Sequence, residues 1–318
     1  MRVLLTGITG FAGGHLAQEL IEQGATVFGI DRSSKKQKHL SDEIELITAD
    51  LRDLEMVQSL VKRVQPDIIY HLAAQAFVPK AWQDPWATLE NNIRPQLNIL
   101  QSMAQQQSNA RILLVASDQV YGPVHPDYLP VDEQTPLQPN NPYGVSKVTQ
   151  DMLGLQYYLS HNLNVLRVRP FNHIGSRQSP FFVASNFAKQ IAEIELGLSP
   201  AVMYVGNLEA KRDFTNVKDV VRAYTLVAQH GQPGEVYNIG TGQAYSIQYL
   251  LDVLLGFSQR QIEIKQDPAR MRPSDVAIIY ADNNKLKETT GWQPVYSFEE
   301  SLRQVLDDWR GRVGMQTS

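Results

Sequence analysis

The stretch Thr6-Gly7-Ile8-Thr9-Gly10-Phe11-Ala12-Gly13 constrains this chain more than any other. Arg2-Val3-Leu4-Leu5 before it reads as a short buried strand, and an apolar-periodic helix carrying Leu16, Leu20 and Ile21 begins behind it. Strand, tight turn and helix in that order form a pyrophosphate site. Glycines let the backbone turn sharply and approach a ligand, while the helix N-terminus offers unpaired N–H groups and the positive end of its dipole. The expected ligand is a dinucleotide, with Gly7, Gly10, Phe11, Ala12 and Gly13 as its first contacts.

Further strand-like runs follow at Thr26 to Ile30, Glu45 to Thr48, Ile68 to His71, Arg111 to Ala116 and Val165 to Val168, each separated by a helix-length segment. Such alternation predicts an α/β fold, a Rossmann-type doubly wound parallel sheet with helices on both faces. Beyond Pro170 the pattern loosens into shorter runs (Val202 to Val205, Glu235 to Asn238, Ile262 to Ile264) between helices near 183–196, 216–229 and 246–256. The expected organisation is a dinucleotide-binding domain over 1–170, to which about 216–240 returns, and a smaller C-terminal α/β substrate lobe over 171–318.

Composition removes several alternatives. A formal charge of −4 with scattered basic residues leaves no stripe for nucleic acid. Cysteine is absent, which excludes disulfides, a thiol nucleophile and zinc-thiolate sites, and no metal is expected. With no run of 18 apolar residues and no leader-like start, a soluble cytoplasmic enzyme without membrane contact is expected.

Asp31 ends the second strand, about twenty residues past the glycines, where an acidic side chain accepts hydrogen bonds from the adenosine ribose. Arg32 follows at once, with Lys35 and Lys36 nearby, and a guanidinium there suits a 2′-phosphate. NADH and NADPH therefore both remain open. Asp50 and Leu51 after the third strand, and Leu72, Ala73 and Ala74 after the fourth, fall where strand C-termini line the cofactor crevice. Asn92, within a helix-length segment, serves either the surface or a structural bond.

Tyr143 and Lys147 form the one Tyr-x-x-x-Lys in the chain. Asn141 and Pro142 read as the N-cap and first residue of a helix, so the spacing of four puts phenol and ammonium on one face. A free tyrosine titrates near pH 10, and a neighbouring ammonium lowers that, so Lys147 is expected to tune the phenol and to hydrogen-bond the nicotinamide ribose. Ser117, ending the fifth strand, supplies a hydroxyl to hold the reacting substrate oxygen. Ser117, Tyr143 and Lys147 are thus the expected catalytic set.

The glycine turn, His71-Leu72-Ala73-Ala74, Ala116-Ser117-Asp118-Gln119-Val120-Tyr121-Gly122 and Tyr143-Gly-Val-Ser-Lys147 together resemble the extended short-chain dehydrogenase/reductase superfamily, across essentially the whole chain. Arg169-Pro170-Phe171-Asn172-His173-Ile174-Gly175 and the run from Val205 to Phe214 resemble its branch of GDP-mannose 4,6-dehydratases and GDP-4-keto-6-deoxy-D-mannose reductases. The resemblance implies a nucleotide-sugar substrate, preferably GDP-linked. It implies that Asn172, Lys189, Asn207, Arg212 and Arg272 line the nucleotide-sugar site and that His173 and Arg177 touch the cofactor. Two arginine forks converging on a diphosphate fit that chemistry.

One departure carries information. Dehydratases of this branch keep a glutamate at the position of Gln119, as the base that removes the C5 proton, and an amide cannot ionise. Asp118 remains a carboxylate, with acid or substrate-anchoring roles both open. The expected activity is therefore NAD(P)H-dependent reduction of a 4-keto-6-deoxy nucleotide sugar, giving GDP-D-rhamnose or an epimer. Its rivals are a dehydratase or 4-epimerase of the same fold, and a non-catalytic dinucleotide sensor. Apolar residues on two helices (Leu97, Ile99, Leu100 and Met103; Met152, Leu153, Leu155, Tyr157 and Tyr158), with the resemblance, point to a homodimer built on a four-helix bundle.

Overall fold

The computed structural model describes residues 1–33, 40–270 and 276–317. In chain order the first half contains β1 (Arg2–Thr6), α1 (Phe11–Glu22), β2 (Thr26–Asp31), β3 (Glu45–Thr48), α2 (Leu54–Val64), β4 (Ile68–His71), α3 (Val78–Gln83), α4 (Pro85–Gln105), β5 (Arg111–Val115), α5 (Pro142–His161) and β6 (Asn164–Pro170). The second half contains β7 (Asn172–Ile174), α6 (Val183–Glu195), β8 (Val202–Val205), β9 (Lys211–Asn216), α7 (Val217–His230), β10 (Val236–Ile239), β11 (Ala244–Ser246), α8 (Ile247–Gly256), β12 (Glu263–Gln266), β13 (Ile278–Ile279), α9 (Asn284–Thr290) and α10 (Phe298–Thr317).

Among the described residues the large sheet has seven parallel strands in the order β10-β6-β5-β4-β1-β2-β3. The winding reverses between β1 and β4, which opens a crevice beyond their C-terminal ends. Period-two alternation decides which face each side chain meets. Val3 and Leu5 of β1 pack with Leu16 and Leu20 of α1 and Val220 and Val227 of α7, whereas Leu4 packs on the opposite face with Val57 of α2 and Ile99 and Leu100 of α4. Both faces are covered by helices, as the alternating pattern predicts. After leaving this sheet at Pro170 the chain returns to it through β10, which pairs with β6.

A second core lies apart from the sheet. Phe187 and Ile191 of α6, Leu250 and Leu254 of α8, and Leu302, Leu306 and Trp309 of α10 form it beneath a small sheet in which β9 pairs with β7, β11 and β13. The strands of that sheet are two to six residues long and include Lys211, Arg212 and Asn172, so no apolar run announces them. α10 belongs to no element anticipated from the sequence. Its Trp309 indole N–H donates to Ser185 Oγ at 2.8 Å and so ties it to α6.

Two expectations need amending. Ile99, Leu100 and Met103 face inward and are wholly buried within the chain, so they add nothing to an outer surface. On the outward face of α5 Met152 is exposed as expected, with Val145 and Leu159 seven residues to either side, whereas Leu153, Leu155, Tyr157 and Tyr158 are half-buried.

α5 begins as the sequence indicates, with Pro142 in its first turn and the Asn141 side chain accepting from Gly144 N–H at 2.9 Å. What fixes it to the sheet is ionic. Asp151, fully buried, accepts from Arg167 NH1 and Arg169 Nε, both on β6 and both at 2.6 Å. Arg167 also reaches the Gly234 carbonyl at 2.7 Å, and Arg169 donates to the Tyr121 hydroxyl at 2.9 Å. The Tyr121 hydroxyl donates in turn to Asn238 Oδ1 at 2.7 Å. Removing one member of such a knot leaves buried charge without compensation. Asp151→Asn is expected to lower the unfolding free energy by about 3–5 kcal/mol, read as a shift of the urea midpoint; a loss below about 1 kcal/mol, the size of a surface pair, would contradict this role.

Candidate active site

The glycine turn closes against the exit of β4. Gly7 has φ +72°, and a Cβ there would stand 2.8 Å from Ala73 N; one on Gly13 would stand 2.1 Å from Gly7 O. Backbone therefore meets backbone with no room for side chains. Gly10, the N-cap of α1, caps no N–H group of the first turn, which leaves those groups for a ligand, and these features fit a dinucleotide pyrophosphate. Phe11 sits at the first position of α1, its ring stacked on His173 at 5.7 Å and 7°, with Ala12 beside it.

Asp31 ends β2 at the rim of the same crevice. The Thr9 hydroxyl donates to its Oδ2, and Ser33 N–H donates to its Oδ1 at 2.8 Å. Thr9 thus orients the carboxylate, a role that its position between two glycines does not signal. Arg32 is exposed and donates to Asn91 Oδ1 on α4 at 3.4 Å, whereas Lys35 and Lys36 lie outside the described residues. Asp50 is held by Arg52 in a fork whose shortest bond is 2.6 Å, and that bond holds its carboxyl below the usual range. Leu51 is buried beside it and its carbonyl accepts from Asn98 at 2.9 Å.

Leu72, Ala73 and Ala74 leave β4 along this turn, with Ala73 N–H on Thr6 Oγ1 at 3.2 Å. Asn92 proves to be a buried brace. Its amide accepts from Gln75 N–H at 2.7 Å and donates to Gln75 O at 3.1 Å and to Ser146 Oγ at 2.8 Å. The β4 loop is in this way fastened to the helix that carries Tyr143.

Tyr143 and Lys147 are both buried on one face of α5, the Lys147 Nζ 5.8 Å from the Tyr143 ring centroid. Ser117 lies at the end of the strand-to-helix turn after β5, and its hydroxyl donates to Asp118 Oδ1 at 3.0 Å. The electrostatics differ from expectation. Burial raises the Tyr143 phenol well above its ordinary value, the Ser117 hydroxyl opposing only in part, and Lys147 does not figure among the influences on it. The physical reason is that Lys147 is itself desolvated, which pushes it down to about 7, and its Nζ donates to Val115 O at 2.8 Å instead of to the phenol. The phenol is accordingly a proton donor, the form a developing alkoxide needs.

Gln119 Oε1 accepts from Asn141 Nδ2 at 3.2 Å, so its carbonyl end is engaged with the N-cap of α5. Asp118 is buried, and desolvation raises its carboxyl, with Ser117, Arg212 and Gln119 opposing. Its Oδ2 has no partner among the described residues, nor has the Nδ2 of Asn172 on β7. His173 is held neutral by burial, its Nδ1 against Phe171 O at 3.2 Å. Arg177 adopts φ +70° and its N–H donates to Asp308 at 2.8 Å.

The remaining substrate candidates are distributed unevenly. Arg212 on β9 is near enough to Asp118 to influence its carboxyl. Asn207 accepts from Glu209 N–H at 2.9 Å in the β8–β9 loop. Lys189 pairs with Glu193 one turn on at 3.3 Å, and it is Asn186 of the same helix that accepts from Arg270 at 3.4 Å. Arg272 lies outside the described residues. Among the described residues no group of His, Asp and Glu could hold a metal ion, and no helix is long and apolar enough to cross a membrane.

The sequence profile of the GDP-mannose 4,6 dehydratase family matches residues 4–305. This chain belongs to that family. It is 36% identical to the GDP-6-deoxy-D-mannose reductase of Pseudomonas aeruginosa over 98% of each chain. The solved structure of RMD from Pseudomonas aeruginosa complexed with NADPH superposes with a TM-score of 0.85 at 34% identity, covering 98% of this chain and 100% of that one. The UDP-glucose 4-epimerase of Thermotoga maritima, solved with UDP-glucose, gives a TM-score of 0.90 at 28% identity over 98% of this chain and 100% of that one. Family membership agrees with the Rossmann-type sheet and with the extended short-chain dehydrogenase/reductase motifs.

Two outcomes follow from this geometry. Tyr143→Phe removes the proton donor and leaves the glycine turn intact, so turnover falls at least about a hundredfold while dinucleotide affinity, followed by fluorescence titration, stays within about threefold; near-normal turnover would contradict the role. Asp31→Ala removes a carboxylate that repels a 2′-phosphate, so the ratio of NADPH to NADH specificity constants rises. An unchanged ratio would place Asp31 away from the ribose.

Proposed function

We propose that this chain reduces a 4-keto-6-deoxy nucleotide sugar with NAD(P)H, the substrate being GDP-4-keto-6-deoxy-D-mannose and the product GDP-D-rhamnose. The observation that carries the reading is the Gln119 amide, held on Asn141 beside an intact Ser117, Tyr143 and Lys147. Reduced nicotinamide supplies a hydride when bound. Tyr143 gives its proton to the oxygen that becomes an alkoxide, Ser117 holds that oxygen, and Lys147 binds the nicotinamide ribose. Gly7, Gly10, Phe11, Ala12, Gly13, Asp31, Arg32, Asp50, Leu51, Leu72, Ala73, Ala74, His173 and Arg177 form the dinucleotide side of the site. Asp118, Asn172, Lys189, Asn207, Arg212 and Arg272 form the nucleotide-sugar side, and Asn186 joins them. The unpartnered Asp118 Oδ2 and Asn172 Nδ2 supply one acceptor and one donor for sugar hydroxyls.

The P. aeruginosa reductase supports the substrate, and its NADPH complex supports the cofactor class. The domain division is the one proposed from the sequence, residues 1–170 with about 216–240 holding the dinucleotide and 171–318 mainly the sugar nucleotide. A cytoplasmic location accords with substrates of this kind. Without a carboxylate at position 119, the protein given GDP-mannose and oxidised cofactor forms no 4-keto-6-deoxy product. Given the keto sugar and NAD(P)H, it consumes reduced nicotinamide stoichiometrically. Efficient dehydration of GDP-mannose would show that Asp118 or another group serves as base, and the reductase reading would fall.

The assembly proposed is a homodimer that pairs α4 and α5 of two copies. Val145, Met152 and Leu159 present an exposed apolar stripe at heptad spacing along α5, the arrangement that buries against a second helix. Sedimentation at micromolar concentration is expected to give twice the chain mass, and Met152→Asp with Leu159→Asp a single-chain mass. A wild-type monomer would overturn it.

A further inference from the structure

His71 closes β4 with a ring nitrogen that the chemistry described so far does not use. The residue is 2% exposed, its Nδ1 lies 2.9 Å from Thr6 Oγ1, and its Nε2 has no hydrogen-bond partner among the described residues. A buried polar atom without a partner costs free energy and is rare in a folded chain. Burial, with the charge of Lys147 adding to it, pushes the imidazole down to about 3. The ring is therefore neutral at working pH, and Nε2 is either a lone pair or an N–H.

Register and alternation place this nitrogen. His71 pairs with Thr6 of β1 and with Leu114 of β5. Ile69, two residues earlier on β4, and Leu4, two earlier on β1, pack with Leu114 on the sheet face that α4 and α5 cover, so His71 and Thr6 point to that face as well. α5 lies directly on it, since a Cβ on Gly154 would stand 2.5 Å from Leu114 Cδ1. Lys147, about two turns nearer the start of that helix, donates to the carbonyl of Val115, the residue after Leu114. Ala116 N–H is turned toward β6, where it donates to Val168 O at 2.8 Å, and backbone groups alternate in direction along a strand, so the Val115 carbonyl is turned toward β4. Imidazole and ammonium thus come together at the C-terminal ends of β4 and β5.

Resting on the reading of Lys147 as the group that binds the nicotinamide ribose, we propose that His71 is its positioning residue. Nδ1–H donates to Thr6 Oγ1, and the lone pair left on Nε2 faces the Lys147 ammonium and, with the Val115 carbonyl, fixes where it points. The Thr6 hydroxyl already accepts from Ala73 N–H at 3.2 Å and has a second lone pair for Nδ1–H. The opposite tautomer would turn a buried N–H toward a cation, with no acceptor there. A neutral acceptor beside Lys147 favours the ammonium over the free amine and so opposes the desolvation that lowers it. Through this ring Thr6, which leads into the glycine turn, is linked to the group that grips the ribose.

The first readout belongs to the wild type. With nitrogen-15-labelled histidine, imidazole correlation spectra are expected to show the His71 ring protonated at Nδ1, its signals assigned by their loss in His71→Gln, and its Nε2 resonance is expected to shift in Lys147→Met. A ring protonated at Nε2, or an Nε2 resonance indifferent to Lys147→Met, overturns the proposal. Two substitutions then separate positioning from packing, because a glutamine side chain reaches the place of Nε2 and an asparagine side chain only that of Nδ1. His71→Asn keeps a partner for Thr6 and is expected to lower kcat for the keto sugar about tenfold, the scale of a hydrogen bond to a charged group, with the urea midpoint unchanged. His71→Gln is expected to restore most of that loss. Full activity in His71→Asn, or a His71→Gln no better than it, also overturns the assignment. Near-normal turnover in Lys147→Met instead removes the reading of Lys147 itself, a failure that the tautomer does not report.

Discussion

Asp151 holds two guanidinium groups inside the protein, and the placement of the reacting groups depends on it. Tyr143, Lys147 and Asp151 are spaced by fours along α5, so one helical face carries the proton donor, the ammonium and the anchor. Arg167 and Arg169 lie on β6, in register with Leu114 of β5 and with Asn238 of β10, respectively. The anchor thus fixes α5 against the strand beside β5, which leads into Ser117. Hydrophobic packing alone leaves a helix free to slide by fractions of a turn, whereas paired 2.6 Å ionic bonds admit one register. The cost of burying three charges is offset only because nearly every oxygen and N–H in the knot has a partner.

Burial also sets the chemistry. The same desolvation that pushes Lys147 down to about 7 raises the Tyr143 phenol. A tyrosine kept protonated serves reduction, in which a proton must be given. The Val115 carbonyl takes one Lys147 hydrogen bond, leaving the others for a ribose. Gln119 directs its carbonyl to the helix cap, which links the residue on which the proposed reductase activity rests to the start of the tyrosine's own helix.

The large sheet was legible in the sequence because most of its strands are buried on both faces and read as apolar runs, the edge strand β3 being the more exposed one. β3 falls on the residues expected, and β2 runs one residue beyond, to Asp31. The small sheet was not legible, since Asn172-His173-Ile174 and Lys211-Arg212-Asp213 are strands by pairing and not by composition. Within the site, the glycine turn, Asp31, Ser117 and Tyr143 could be read from local spacing. Roles that depend on contacts far apart in the chain could not. Thr9 holds Asp31 across 22 residues, Asn92 braces Ser146 across 54, and Asp151 meets Arg167 across 16. Asn186 was missed for a related reason: its amide accepts from Arg270, 84 residues away, one turn before the Lys189 that pairs with Glu193.

The central claim is that this protein adds hydride to C4 of a keto sugar and does not abstract a proton from C5. Reaction of the wild type with NAD(P)H carrying deuterium at the nicotinamide C4, in ordinary water with GDP-4-keto-6-deoxy-D-mannose, followed by NMR of the product, tests it directly. The account predicts deuterium at sugar C4 in one molar equivalent and none at C5 or C6. Product without label at C4, or label carried to C6, would contradict it.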